Sequence, residues 1–222
     1  DELSNSHRGA IHLQDTLSKA PNVTASAGAS RNRFFQIRGI GERSQFVEPI
    51  NPSVGILLDG IDISGVGGAT TLFDIQKTEI LRGPQGTIMG ANALAGMINL
   101  RSTSADTSAS EMQFGAEQYG GFRLGALLGS GEKNGWAGRL AIQRYSSDGF
   151  IDNHWLNRDD TNRRNELTSR ASAQWKHDEN MISGALYYTR IDNGYDAFSL
   201  DNTRFTLSDE PGEDDLTLKA GR

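Results

Sequence analysis

The sequence predicts a mixed α/β domain over residues 1–103, followed by a series of antiparallel β-strands over residues 104–222. Three observations carry that prediction. Up to about residue 103, short apolar runs are punctuated by glycine and proline turns. A stretch of small polar residues, STSADTSAS at Ser102–Ser110, then interrupts the pattern. Beyond it, apolar and polar residues alternate with period two through several consecutive segments.

The first element is HLQDTLSKAPNV. Leu13 and Leu17 stand four apart on one face of a short amphipathic helix, and Pro21 lies just past its end. Four apolar runs follow as strands: FFQIRG, SVGILLDGIDI, KTEILRG and GMINLRS. Asp59-Gly60 has the composition of a hairpin turn, pairing Val54–Leu58 with Ile61–Ile63. The segment Glu79–Leu100, EILRGPQGTIMGANALAGMINL, holds Gly83, Gly86, Gly90 and Gly96 but no nucleophile–base pair and no metal-ligand cluster. Pro84 suits the first turn of a helix, so PQGTIM reads as one helical turn with Gly90 as its left-handed cap. Gly96 reads as a place of close backbone approach before MINL resumes as a strand.

In the second half, Met112, Phe114 and Ala116 form one face of a strand, and Phe122, Leu124, Ala126 and Leu128 that of the next. Gly138, Leu140 and Ile142, then Ala171, Ala173 and Trp175, then Ile182, Leu186 and Tyr188 continue the series, giving about five strands. GSGEKNG and KHDEN are short turns, whereas SSDGFIDNHWLNRDDTNRRN and the segment after Arg190 are long. Long loops at one end and short turns at the other follow the plan of an outer-membrane barrel, although QYGG, on the long side, is itself short. Trp136, Tyr145, Trp175 and Tyr188 lie near strand ends, as an aromatic girdle requires. A soluble β-sandwich shares the alternation. Period alone leaves both architectures open, and the loop asymmetry favours the barrel.

Composition narrows the function classes. Hydrophobic residues are 36%, charged residues 23% and mean hydropathy is -0.50. No apolar run approaches the roughly 20 residues of a membrane-spanning helix, which excludes a helical membrane protein and leaves barrels open. The 26 glycines among 222 residues exceed the average of about 7% and belong to turns and close-packed strands. The absence of cysteine excludes disulfide scaffolds and thiolate sites. A net charge of -6 argues against nucleic acid as a partner. GVGGAT lacks the dinucleotide fingerprint, and His7, His12, His154 and His177 have no metalloprotease spacing. DEPGEDD at Asp209–Asp215 lacks the register of a calcium loop and reads as an acidic external loop. No enzyme activity, cofactor or metal is expected. Asp1-Glu2-Leu3-Ser4 has neither the basic start nor the apolar core of a signal peptide.

Taken in order, LQDTLSKAPNV, FFQIRGIG, VGILLDGIDI and DIQKTEILRGPQGTIMGANALAGMINL resemble the plug domain of the TonB-dependent outer-membrane receptors. GWAGRLAIQRYSSDGFIDN is similar to an early barrel strand running into its loop, so the resemblance covers essentially the whole chain. It implies an α/β plug domain (1–103) followed by antiparallel β-strands of an incomplete transmembrane β-barrel (104–222). Ala95 stands where the family has the first glycine of a pair, so no positive φ is expected there, and Met89 replaces a common aromatic. About five strands cannot close a barrel of about 22 strands, so the chain is expected to be a fragment. The TonB-contacting segment that precedes a plug is not recognisable in Asp1–Ala10.

The resemblance also implies roles. Arg38 and Arg82 are expected to face barrel carboxylates and lock plug to wall, with Glu79 the nearby partner within the plug. Two loops, Gly39–Pro52 and Ser64–Thr71, are expected at the ligand side, with Glu42, Arg43, Gln45, Phe46 and Thr70 as candidate contacts. Arg31, Arg33 and Arg43 would give a basic top that attracts an anionic chelate. The implied function is active import driven by the inner-membrane TonB complex, in contact with outer-membrane lipid. The ligand class it implies is a ferric siderophore, with cobalamin, haem, nickel chelates and oligosaccharides as competitors. A passive porin or adhesin barrel and a secreted β-rich binding protein are the alternatives of other classes. The ordered motifs over residues 34–100 argue against a porin, which has no use for them.

Overall fold

The computed structural model describes residues 10–27, 31–43, 51–90, 92–153 and 157–194. They fall into two compact units, Asp1–Thr103 and Ser104–Arg222. In the first unit a one-turn helix α1 (Leu13–Leu17) buries both leucines, as their spacing predicts. Asp15 fixes the start of α1 by accepting the backbone N–H groups of Ile11 and His12 at 2.9 and 2.8 Å.

Strands β1 (Val23–Ala27) and β2 (Asn32–Ile37) pair antiparallel with Val23 opposite Ile37. FFQIRG therefore forms a two-stranded sheet of its own. The central sheet contains β3 (Val54–Leu58), β4 (Ile61–Asp62), β5 (Ile75–Arg82) and β6 (Gly96–Ser102) in the order β4-β3-β6-β5. Asp59 and Gly60, both at positive φ, close the β3–β4 hairpin in the predicted place. Strands β3 and β6 run parallel, Ile56 beside Ile98, while β5 pairs antiparallel with β6. Leu13, Leu17, Phe35, Ile37, Val54, Ile56, Leu72, Ile98 and Leu100 share one buried core. Leu57, Ala93 and Met97 form a second, smaller buried cluster.

Between β5 and β6 the helical turn is shorter than the sequence predicts. Helix α2 covers Gly86–Met89, with Gln85 as its N-cap, so Pro84 lies outside it. Gly90 has φ 62° and ψ -123°, positive φ but not the left-handed helical cap expected. Gly96 meets its expectation. A Cβ there would strike the Leu81 carbonyl oxygen and come within 2.7 Å of Ile37 Cδ1. Gly83 and Ala93 also take positive φ in this connection, and Ala95 is buried without one.

The second unit is a five-stranded antiparallel sheet ordered β13-β12-β9-β8-β7. Its strands are β7 (Ala109–Ala116), β8 (Phe122–Gly129), β9 (Trp136–Ser147), β12 (Arg164–His177) and β13 (Asn180–Ile191). The β6 strand runs through Ser102 and β7 begins at Ala109, so the polar stretch shortens to the residues between them. The connection from β9 to β12, expected as loop, carries a ribbon of β10 (Ile151–Asn153) and β11 (Arg158–Thr161).

Cross-strand register places the alternating residues in rows. Ser110, Leu128, Leu140, Ala171 and Leu186 form one row, and Met112, Ala126, Ile142, Ser169 and Tyr188 the next. Met112 is 81% exposed and Leu186 71%, whereas Leu127, Ala141, Gln143 and Arg170 on the opposite face are buried. A sheet with its apolar face outward is inverted relative to a soluble sandwich and fits a wall against lipid. Among the described residues β7 and β13 are free edges, so the barrel is not closed. No helix among them is long and apolar enough to cross a membrane.

Candidate functional site

The α1 helix and the loop before β5 are stitched together by backbone. The Leu72 N–H donates to the Ile11 carbonyl at 2.8 Å, and His12 bridges Thr71. Arg31, at the start of β2, donates from Nη2 to the Thr70 carbonyl at 2.7 Å and is buried at 7% exposure. Arg31 therefore does not belong to an exposed basic top; it ties β2 to the end of the Ser64–Thr71 loop. The side chain of Thr70 is also buried. Among the loop residues whose burial is described, Gly65 and Val66 are exposed, in the 3-10 turn Ser64–Ala69.

The base of the same loop is rigid. Ser64 Oγ accepts the Ile56 N–H at 2.9 Å and donates to Asp62 Oδ1 at 2.6 Å, while the Asn92 amide donates to Asp62 Oδ2 at 3.0 Å. Partial burial pushes the Asp62 carboxyl up. The hydrogen bonds from the Ser64 side chain and backbone and from Asn92 outweigh it and hold the group below its ordinary value.

In the other loop, Glu42 Oε1 accepts both the backbone N–H and the hydroxyl of Ser53, at 3.0 and 2.8 Å. The Gln36 side-chain amide donates to the Glu42 carbonyl. Arg43 is exposed, with a long 3.4 Å contact from Nη2 to the Gly39 carbonyl. Gln45 and Phe46 lie outside the described residues, as does the Arg33 side chain.

Arg38 and Arg82 are both exposed, Arg38 at φ 55° in the turn after β2 and Arg82 at the end of β5. Among the described residues neither has a carboxylate partner. Glu79 instead pairs with Lys77 at 2.6 Å and Arg101 at 3.8 Å, and accepts from Asn99 at 3.1 Å. The Lys77 hydrogen bond is the chief cause that holds the Glu79 carboxyl below its usual value, against a smaller desolvation effect.

Sequence reasoning missed the Arg31 tie, the Asp62–Ser64–Asn92 cluster, and the Asp59 carboxylate that accepts the N–H and hydroxyl of Ser102 at 2.8 and 2.5 Å. The D-x-S spacing of Asp62 and Ser64 was a legible turn signal. The other two join residues far apart in the chain and had none. No group of residues that could hold a metal occurs among the described residues. The arrangement offers hydrogen-bonding and charged surface on a rigid scaffold.

Residues 2–97 match the family model described as TonB-dependent Receptor Plug Domain. The first unit of this chain is thus similar to the plug domain of TonB-dependent receptors. Over 82 residues the chain is 34% identical to the pesticin receptor of Yersinia enterocolitica, a match covering 36% of this chain and 12% of that protein. It is 29% identical over 102 residues to the vitamin B12 transporter BtuB of Vibrio vulnificus, covering 43% of this chain and 16% of that one. Among solved structures, the ferric yersiniabactin uptake receptor FyuA from Yersinia pestis superposes with TM-score 0.69 at 22% identity. That superposition covers 88% of this chain and 32% of FyuA. The pyoverdine receptor FpvA from Pseudomonas aeruginosa PAO1 gives TM-score 0.70 at 17% identity, with coverage of 90% and 30%. The chain thus spans less than a third of these receptors. The plug explains the glycine-rich Glu79–Leu100 segment as tight packing, with Gly96 against Leu81 and Ile37.

Proposed function

We propose that this chain is the N-terminal part of an outer-membrane transporter of a Gram-negative bacterium that imports a ferric siderophore with energy from the TonB complex. The observation that carries the reading is a plug-family match over residues 2–97 in the same chain as a sheet whose exposed face is apolar. Similarity to the folds of a ferric yersiniabactin uptake receptor and of a pyoverdine receptor supports the siderophore as ligand. In this reading residues 1–103 are the plug and residues 104–222 begin the barrel wall. The ligand meets Glu42, Arg43, Gln45 and Phe46, whereas Thr70, buried beneath its loop, supports the loop and does not face the ligand. Arg38 and Arg82, exposed on the plug, pair with carboxylates of later wall strands, and Glu79 braces the β5–β6 surface beside them. Transport proceeds by binding and conformational change, without covalent chemistry.

Cobalamin is the second reading, favoured by the 29% identity to a vitamin B12 transporter. The test is growth and labelled-iron uptake under iron limitation, with and without the full-length gene. Loss of uptake with one siderophore supplied supports the first reading. Unchanged iron uptake with every siderophore, together with lost cobalamin uptake, selects the second.

A further inference from the structure

The chain that leaves β2 comes straight back over it. Arg38 and Gly39 turn at positive φ, and Ile37 and Ile40 exchange both backbone hydrogen bonds, at 2.9 and 3.1 Å. Gly41 then crosses close to the hairpin: a Cβ there would strike the Phe35 carbonyl oxygen and lie 3.2 Å from Gln36 Cγ. From this point side chains hold the returning chain. Thr24 and Gln36 are cross-strand partners, and Ser26 lies on the same face as Thr24. The Thr24 hydroxyl donates to Gln36 Oε1 at 2.7 Å. Gln36 Nε2 donates to the Glu42 carbonyl and lies 3.5 Å from Ser26 Oγ, while Ser26 Oγ donates to the Arg43 carbonyl at 3.3 Å. Two successive carbonyls are thus held by side chains of one hairpin face.

Gln36 is the centre of this clamp and is buried at 3% exposure. A flipped amide would set Oε1 against the Glu42 carbonyl, so the donor end must face the loop. A buried amide is costly unless it is hydrogen-bonded, and the returning loop supplies the acceptor it needs. On the far side Glu42 Oε1 accepts the N–H and hydroxyl of Ser53, so Glu42 is pinned at backbone and side chain alike. Arg43 comes next, its carbonyl held by Ser26 and its exposed guanidinium engaged only in the long contact with Gly39. A cation on a backbone already ordered loses less freedom on meeting an anion than one on a loose loop. The clamp therefore supplies order where the free charge stands.

We propose that Gln36 is a positioning residue for ligand binding: through the Glu42–Arg43 backbone it sets where the Arg43 guanidinium meets an anionic chelate. This inference rests on the reading of Arg43 as a ligand contact.

The test uses the full-length receptor in detergent micelles. With a nitroxide on Arg43→Cys, adding Gln36→Met should narrow the spectrum of the label, and adding Ser26→Ala should narrow it less. A spectrum unchanged by both overturns the proposal. Affinity is then titrated with ferric yersiniabactin, ferric pyoverdine and vitamin B12, the compounds that name the similar receptors, using whichever the wild type binds. Gln36→Met is expected to weaken binding about 5-fold or more, but less than about 2-fold in an Arg43→Ala background. Ser26→Ala, which spares Gln36, should show a smaller loss with the same dependence on Arg43. An equal loss with and without Arg43 makes Gln36 a support of the fold alone and overturns the proposal, as does unchanged affinity; both leave the ligand reading standing. Binding of none of the three by the wild type counts against the ligand reading instead, and the label then decides whether Gln36 holds Arg43.

Discussion

Arg31 donates to the carbonyl of Thr70 at 2.7 Å, joining the start of β2 to the segment that carries the backbone bond from Leu72 to Ile11. Through it, the 3-10 loop, the β1–β2 hairpin and helix α1 meet within a few residues. Removing the donor leaves a buried carbonyl unsatisfied at that point, a cost of about 1–3 kcal/mol. Arg31→Ala should accelerate amide exchange at Leu72 and Ile75 in the full-length receptor by roughly 5- to 100-fold. Hydrogen–deuterium exchange read by mass spectrometry checks it, and unchanged protection there would show the bond to be dispensable.

Gly96 and Gly90 should respond differently to alanine. At Gly96 a methyl group meets the Leu81 carbonyl and Ile37 Cδ1 at 2.7 Å, so both sterics and a φ of 153° oppose it. At Gly90 nothing lies within 4 Å, and only the backbone conformation resists. Gly96→Ala should cost more than about 2 kcal/mol and Gly90→Ala about 1 kcal/mol. Chemical denaturation followed by exchange in the β5–β6 strands would rank them, and a reversed order would contradict the packing described.

The carboxyl of Asp62 is held below its ordinary value of 3.8 by Ser64 and Asn92. A depressed folded pKa contributes stability that is complete above the unfolded value and is lost as pH falls through the folded one. Plug stability should therefore decline below about pH 4, and Asp62→Asn should flatten that decline while lowering stability at neutral pH. Denaturation midpoints across pH 2–7 for the two proteins would show it; parallel curves would remove Asp62 from the acid response.

Arg43 and Glu42 are adjacent candidates for ligand contact with unequal freedom. Glu42 already accepts two hydrogen bonds from Ser53, while the exposed Arg43 guanidinium makes only a long contact with Gly39. For an anionic chelate, Arg43→Ala should weaken binding about 10-fold or more, the value of one charged hydrogen bond. Glu42→Gln should change it less than about 3-fold. Titration of the purified receptor with the transported chelate decides between this ranking and its reverse.

On the wall, Leu186 is 71% exposed within the outward row. Leu186→Arg should destabilise folding into lipid vesicles by about 2–4 kcal/mol, the cost of a cation at mid-membrane in barrels. Urea titration in vesicles measures it, and a neutral effect would place this face in water.

Much of this was legible because it is local. Leu13 and Leu17 at helical spacing, Asp59-Gly60 between two apolar runs, and the alternation from Met112 onward each specify their element within a few residues. The β10–β11 ribbon escaped notice because its strands are short and polar, and Pro84 misled because a proline that suits a first turn also suits the residues before it. The ordered motifs from Leu13 to Leu100 reached further than periodicity and carried the family resemblance that the plug match bears out.

By itself the sequence determined the elements, their turns and the two faces of each wall strand, since backbone preference and side-chain period act over neighbouring residues. The tertiary structure decided which segments meet. Parallel pairing of β3 with β6 across the intervening β4, β5 and α2, and the choice of Lys77 and Arg101 as partners of Glu79, depend on distant chain arriving in register. Arg31 shows the difference most directly: its charge reads as solvated in sequence, and the arrival of the Thr70 carbonyl helps make its burial tolerable.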